Sequence, residues 1–224
     1  MTKPVLVFDM DGVLVEVSES YRETIQRTVE HFTGQRITRE SIQEIKNQGG
    51  WNDDWKLSNH LIREAGVNVA YQTVVDYFQS IFHGDGTNGL ILRERWIASE
   101  GLFDRLAARY QLAIFTGRLK WEANVTLTRH APTLRFDPLI GTDDVENGKP
   151  APDGLLKIRA ATGGRELWYV GDTVDDARSA RGAGVPFIGI AAPTSARRRE
   201  LVELFHAEKA IAVLDDINQL ESAL

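Results

Sequence analysis

Cysteine is absent from the 224-residue sequence, which excludes a disulfide framework and any thiolate metal site. That absence fits a reducing compartment. Positive charge is also scarce: 26 Lys and Arg stand against 32 Asp and Glu, for a net charge of -6. This balance favours solubility and gives no support to a nucleic-acid or membrane-surface partner. The densest basic run, Arg197 to Arg199, lies in a helical pattern and reads as a solvated face. Apolar runs are short, none approaching the ~20 residues of a membrane span, and the N-terminus carries no signal-peptide pattern. A soluble, cytoplasmic protein is expected. No internal repeat or low-complexity tract appears, and a hydrophobic content of 42% suffices for a sizeable core.

The short apolar runs alternate with helix-period segments, the pattern of a parallel sheet flanked by helices. Candidate strands are "VLVFD" near Val5, "QLAIFT" from Gln111, "PLIGT" from Pro138, "LWYVGD" from Leu167, "PFIGIA" from Pro186 and a weaker "AIAVL" near Ala210. Most are apolar at consecutive positions, as in strands covered on both faces. From Ser18 to about Phe82 the chain reads almost entirely as helix. A capping box from Ser20 to Glu23 opens the first helical segment and Gly34 closes it. The segment from Ala70 places Tyr71, Val74, Val75, Phe78 and Phe82 on one stripe. The expected fold is therefore an α/β, Rossmann-like parallel core with an inserted all-helical cap. The expected core comprises residues 1–15 and 95–224, with the cap at 16–90 and a hinge or return linker at 83–94. Within that linker "GDGTNG" has the spacing of a dinucleotide loop. It follows a helix rather than a strand, so it reads as a hinge.

In open α/β sheets, ligands bind beyond the carboxyl ends of the strands. The first strand ends in Asp9, Asp11 and Gly12, and the second in Thr116, Gly117 and Arg118. Lys149 follows the third, and Asp172, Asp175 and Asp176 follow the fourth. If these ends converge, one crevice holds several carboxylates, a hydroxyl and an ammonium. Clustered carboxylates repel and need a cation to stay ionised together. An all-oxygen donor set suits Mg²⁺, which takes one or two carboxylates and completes its octahedron with water and phosphate.

The ordered set "DMDGVL", "IFTGR", "GKPAP" and "GDTVDDARSARGAG" resembles the haloacid dehalogenase superfamily, in particular its phosphoglycolate-phosphatase-like branch with a helical cap. The resemblance implies a Mg²⁺-dependent phosphatase acting on a small-molecule phosphomonoester through an aspartyl-phosphate. By it, Asp9 is the nucleophile and Asp11 the general acid and base, which also offers its backbone carbonyl to the metal. Thr116 and Lys149 hold the phosphoryl oxygens, with backbone N–H groups of Gly117 and Arg118 as further donors. Asp172 ligates Mg²⁺ together with Asp9. Asp176 supports the metal, leaving Asp175 as a surface neighbour, although spacing alone leaves this pair open.

Two rivals share the motifs: a sugar-phosphate mutase on the same core, and a non-catalytic relative that binds a phosphorylated ligand. In the cap, "KNQGGWNDDW" reads either as a substrate loop using Lys46, Asn47 or Asn52, or as an exposed turn anchored by Trp51 and Trp55. The five histidines show no metal-ligand spacing, and only His83 lies near the hinge. Monomer and homodimer fit the sequence equally.

Overall fold

The computed structural model describes residues 3–224. The chain opens with strand β1, Val5–Phe8, and a two-residue strand β2, Val15–Glu16. Four helices follow: α1 (Tyr21–Thr33), α2 (Arg39–Gln48), α3 (Asp54–Glu64) and α4 (Tyr71–His83). Strand β3, Arg95–Trp96, returns antiparallel to β2, so the insertion leaves and re-enters through one small ribbon. Next come α5 (Leu102–Arg109), β4 (Gln111–Phe115), α6 (Lys120–His130) and β5 (Leu139–Ile140). The chain finishes with α7 (Asp153–Ala161), β6 (Leu167–Gly171), α8 (Val174–Ala183), β7 (Phe187–Ile190), α9 (Arg198–Ala207) and β8 (Ala212–Leu214).

Six strands form one sheet in the order β5-β4-β1-β6-β7-β8, and every pair is parallel. β1 is therefore central, with all four residues fully buried. Its alternate side chains serve opposite faces. Val5 and Val7 meet Tyr169, Leu155, Ala177 and Phe205, beneath α7, α8 and α9. Leu6 and Phe8 meet Leu102, Leu106, Ile114 and Ala123, beneath α5 and α6. A strand covered on both faces needs an unbroken apolar run, which is why "VLVF" carries no polar residue.

The insertion has its own apolar cluster, with Ile25, Val29, Ile42, Leu57, Val74, Phe78 and Phe82 at its centre. The expected stripe on α4 is realised at Val74, Phe78 and Phe82, whereas Tyr71 is exposed at its first turn. The capping box expected at Ser20 does not form. Ser20 donates its hydroxyl to Val17 O, and Glu23 pairs with Arg27 and Arg36 instead. Gly34 does close α1 in the left-handed conformation, φ 71°. Among the described residues, no helix is long and apolar enough to cross a membrane.

Phe78 is fully buried and sits 6.1 Å from the Phe82 ring and 6.4 Å from Tyr21. Phe78→Ala is expected to lower stability by about 3–5 kcal/mol, as for other buried phenylalanines emptied to a cavity. Chemical denaturation of the variant against wild type measures it.

Candidate active site

Asp9 continues the β1 ladder, its N–H donating to Val170 O at 2.8 Å. Its carboxylate thus emerges from the centre of the sheet at the carboxyl edge. The chain then turns sharply: Gly12 has φ 72° and donates to Val15 O. A Cβ on Gly12 would lie 2.0 Å from Asp172 Oδ2. Glycine is required there twice, by the left-handed backbone and by the close approach of the Asp172 carboxylate.

Lys149 reaches across from the segment before α7 and binds two carboxylates. Its Nζ lies 2.7 Å from Asp9 Oδ1 and 2.7 Å from Asp176 Oδ1. All three side chains are at most 6% exposed. Asp176 is further held by the Tyr169 hydroxyl at 2.6 Å, the Thr173 hydroxyl at 2.6 Å and the Thr173 N–H at 3.0 Å. The Thr173 N–H bond, with the Asp176 N–H donating back to Thr173 Oγ1 at 3.2 Å, forms the N-terminal capping box of α8. Both oxygens of Asp176 are therefore engaged by the protein, so it fixes Lys149 and the α8 turn rather than facing the cleft. Asp175, expected at the surface, is 2% exposed. It accepts the N–H of Gly50 at 2.8 and 3.0 Å, binding the loop after α2 to the start of α8.

The electrostatics follow from three acids in one dry place. Burial raises Asp9 to about 7, against the pull of Lys149 and with the push of Asp176 and Asp11. Burial, then Asp9 and Asp176, hold Asp172 well above the ordinary carboxylate range. Burial opposes the charge on Asp176 too, but Lys149 prevails and lowers it. Burial likewise opposes the charge on Lys149, and Asp176 and Asp9 outweigh it, raising the ammonium. Asp9, Asp172 and Asp176 offer oxygens within 4.8 Å of one another. Asp172 Oδ1 is buried with no hydrogen-bond partner. A buried, unpartnered carboxylate oxygen beside a second acid is what a hard divalent cation would satisfy, and the donor set fits one.

On the other side of β1, Thr116 ends β4, 1% exposed. Its hydroxyl oxygen accepts the Arg118 N–H at 3.2 Å, leaving its own proton to donate. The Arg118 amide, expected as a donor to a phosphoryl oxygen, donates here to Thr116. The Arg118 side chain turns instead to Asp11 and Glu94. Gly117 lies beneath Asn52: a Cβ there would be 2.2 Å from Asn52 Nδ2.

Over these strand ends lies a cleft of about 270 Å³. Asp9, Asp11, Gly117, Lys149 and Asp172 line its floor, and Tyr21, Arg22, Lys46, Asn52, Trp55 and Lys56 line its insertion side. Lys46 is ion-paired with Asp54 at 2.6 Å. Asn47 is buried, accepts from Gln43 and does not line the cleft, because its position on α2 points it elsewhere. Trp51 stacks on His60 with ring centroids 4.4 Å apart, anchoring the loop, while Trp55 reaches the cleft. His83 does not line the cleft itself but meets Glu122, which does, at 2.9 Å. The residues that sequence reading passed over are Tyr21, Arg22, Glu94 and Glu122. A glutamate at N3 of α6 was the one legible signal among them.

A central-strand carboxylate facing a buried lysine, with a partly unpartnered acid beside it, marks the carboxyl edge of this α/β sheet as the candidate site. The chain belongs to the haloacid dehalogenase-like hydrolase family, which it matches over residues 6–190. It is 36% identical over 205 residues to an imidazoleglycerol-phosphate dehydratase from Phytophthora nicotianae, a match covering 86% of this chain and 45% of that protein. The chain thus spans less than half the length of that relative. It is 23% identical over 188 residues to the pyrophosphatase PpaX of Bacillus velezensis, covering 83% of this chain and 82% of that one. Its fold resembles that of a haloacid dehalogenase-like protein from Agrobacterium tumefaciens. There the TM-score is 0.73 at 19% identity, covering 98% of this chain and 96% of that chain.

The raised acids set a pH dependence. A carboxylate raised on folding binds more protons in the folded state, so without a cation its contribution to stability falls as pH rises from about 4 towards 7. A divalent cation must displace those protons, and its stabilising effect grows over the same range. Differential scanning fluorimetry is expected to show a larger cation-induced Tm rise at about pH 8 than at about pH 5.5. In Asp172→Asn the rise is expected to be lost at both.

Proposed function

We propose that this protein is a Mg²⁺-dependent phosphatase that hydrolyses a small-molecule phosphomonoester through an aspartyl-phosphate on Asp9. The observation that carries the reading is the Lys149 ammonium 2.7 Å from the Asp9 carboxylate at the end of the central strand. A cation there neutralises an incoming phosphoryl group beside the oxygen that attacks it. Only Asp9 Oδ1 is taken by Lys149. Family membership supports hydrolysis, and of the two relatives described above one is named a pyrophosphatase and the other a dehydratase of a phosphate ester.

Asp9 attacks phosphorus, forming an O–P bond as the ester O–P bond breaks. Asp11 gives its proton to the departing alkoxide oxygen. Asp11 then takes a proton from water, whose oxygen bonds to phosphorus as the Asp9 O–P bond breaks. Inorganic phosphate leaves and both acids return to their starting states. The Thr116 hydroxyl and Lys149 hold the equatorial oxygens throughout. Mg²⁺, held by Asp9, Asp172 and the Asp11 carbonyl, would neutralise charge on those same oxygens.

In this reading residues 1–15 and 95–224 are the catalytic core and 16–90 a cap, with 83–94 as its hinge. The cap excludes water and selects the alcohol. Asn52 above Gly117 and Lys46 at the cleft wall are the cap residues assigned to the substrate.

The test is phosphate release from a panel of phosphomonoesters with Mg²⁺ or EDTA, for wild type and Asp9→Asn. Release by wild type with Mg²⁺ only, and background release by the variant, is expected. Interconversion of sugar phosphates without release would replace this reading with a mutase. Binding of phosphate esters without turnover would replace it with a non-catalytic role.

A further inference from the structure

Arg118 is among the most enclosed charged side chains in the molecule, 1% exposed, and all of its donors are occupied. Nε and Nη2 both point at Asp11 Oδ1, at 2.8 and 2.5 Å. Nη2 also reaches Glu94 Oε1 at 2.6 Å, while Nη1 reaches Glu94 Oε2 at 3.3 Å and Thr126 Oγ1 at 2.7 Å. A guanidinium has five N–H groups, and five hydrogen bonds are made here. None is left for a phosphoryl oxygen.

The Glu94 and Thr126 ends of these bonds do not line the cleft. Glu94 precedes β3, where the chain returns from the insertion, and it also accepts from the Thr126 hydroxyl at 2.7 Å. The Tyr21 ring, in the first turn of α1, covers the guanidinium with its centroid 4.8 Å from the central carbon. Tyr21 then donates to Glu122 at 3.3 Å, which also meets His83 and Gln79 on α4. One side chain therefore touches Asp11, the return segment and the first cap helix.

We infer that Arg118 is a positioning residue: it fixes the carboxyl of Asp11 for proton transfer and ties that placement to the seated cap. The inference rests on the phosphatase reading above. The bonding pattern carries it, because both Arg118 donors that meet Asp11 take the same oxygen, Oδ1. Asp11 lies on a turn with its side chain 31% exposed. With Oδ1 pinned, rotation about the side chain is arrested, and Oδ2, which takes no bond from Arg118, is left to carry the proton. A general acid works only within about 2.6–3.2 Å of the oxygen it serves. A partly exposed carboxyl left free to rotate would lose that distance.

A positioning role and a purely structural one differ in how the damage depends on the leaving group. A p-nitrophenolate leaves without a proton, whereas an alkoxide does not. The value of kcat/KM reports steps only through phosphoryl transfer to Asp9, which isolates the leaving-group proton. The experiment compares kcat/KM for p-nitrophenyl phosphate and for an alkyl phosphate in wild type, Asp11→Asn, Arg118→Lys and Glu94→Gln, all with Mg²⁺. Asp11→Asn sets the signature of a missing acid. Lysine keeps the charge but cannot bracket one oxygen from two nitrogens. Arg118→Lys is expected to lose about 100-fold on the alkyl ester and less than about 5-fold on the aryl ester, the size of a general-acid contribution. Glu94→Gln touches neither Asp11 nor the cleft and keeps the side chain's shape. It is expected to show the same selectivity at about tenfold.

Equal losses on both esters would overturn the inference and leave Arg118 as a bracket for the fold alone. If Arg118→Lys shows no cooperative thermal transition, the Glu94→Gln ratio decides between the two. A wild type inert towards both esters would overturn the phosphatase reading and this role with it. An active wild type with unselective variants would overturn this role alone.

Discussion

The constraint on which this molecule depends is one ammonium shared by two buried carboxylates. Lys149 stands 2.7 Å from both Asp9 and Asp176, with all three side chains removed from water. Taking one partner from such a group leaves a charge with neither solvent nor counter-ion, a loss of about 3–5 kcal/mol where it has been measured. The group therefore fixes its own surroundings. Asp176 cannot move because Thr173 and Tyr169 hold it, and Thr173 is the residue that starts α8. The helix start, the lysine and the strand-end carboxylate are one unit, and it sits where the three central strands end.

That unit is also deliberately short of positive charge. With Asp172 counted, three clustered acids stand against one lysine that touches two of them, and Asp172 Oδ1 has no partner. A fold optimised for stability alone would replace this arrangement with apolar side chains of equal volume. The glycines show the same tension. Gly12 makes room for Asp172, and Gly117 makes room for Asn52. In each case a side chain was given up at a strand end so that a polar group could enter the cleft.

Most of the core was legible because physics at a central strand is severe. A run covered on both faces tolerates no charge, so Asp9 at the end of "VLVF" stood out, as did Asp172 after "LWYVG". The choice between Asp175 and Asp176 was harder. Neighbours on a helix point about 100° apart, and both directions here are buried: Asp176 towards Lys149, Asp175 towards the Gly50 amide. Spacing identified a pair, and only packing separates a residue of the site from a tie between insertion and core. Asn47 and Asn52 show the same limit within one loop. Arg118 was harder still, since strand register locates its backbone but says nothing of its guanidinium. Its partners Asp11 and Glu94 lie 107 and 24 residues away, beyond the reach of any local pattern.

Two of the cations at the strand ends, Lys149 and Arg118, differ in what their chemistry allows. Lys149 is a point charge on a flexible stem, able to neutralise Asp9 and, in the proposed reading, a phosphoryl group without preferring one geometry. Arg118 is a planar fork, and its value lies in the directions it imposes. In the proposed reading Asp9 supplies the attacking oxygen from the end of β1, where its N–H continues the ladder. Asp11 follows on a turn whose backbone is closed by the Gly12 N–H on Val15 O and the Leu14 N–H on Met10 O. What that turn leaves free is the Asp11 carboxyl, and the planar fork of Arg118 brackets it. That bracket is anchored where the chain re-enters the core from the insertion, so the insertion can bear on the acid without touching the substrate's phosphate.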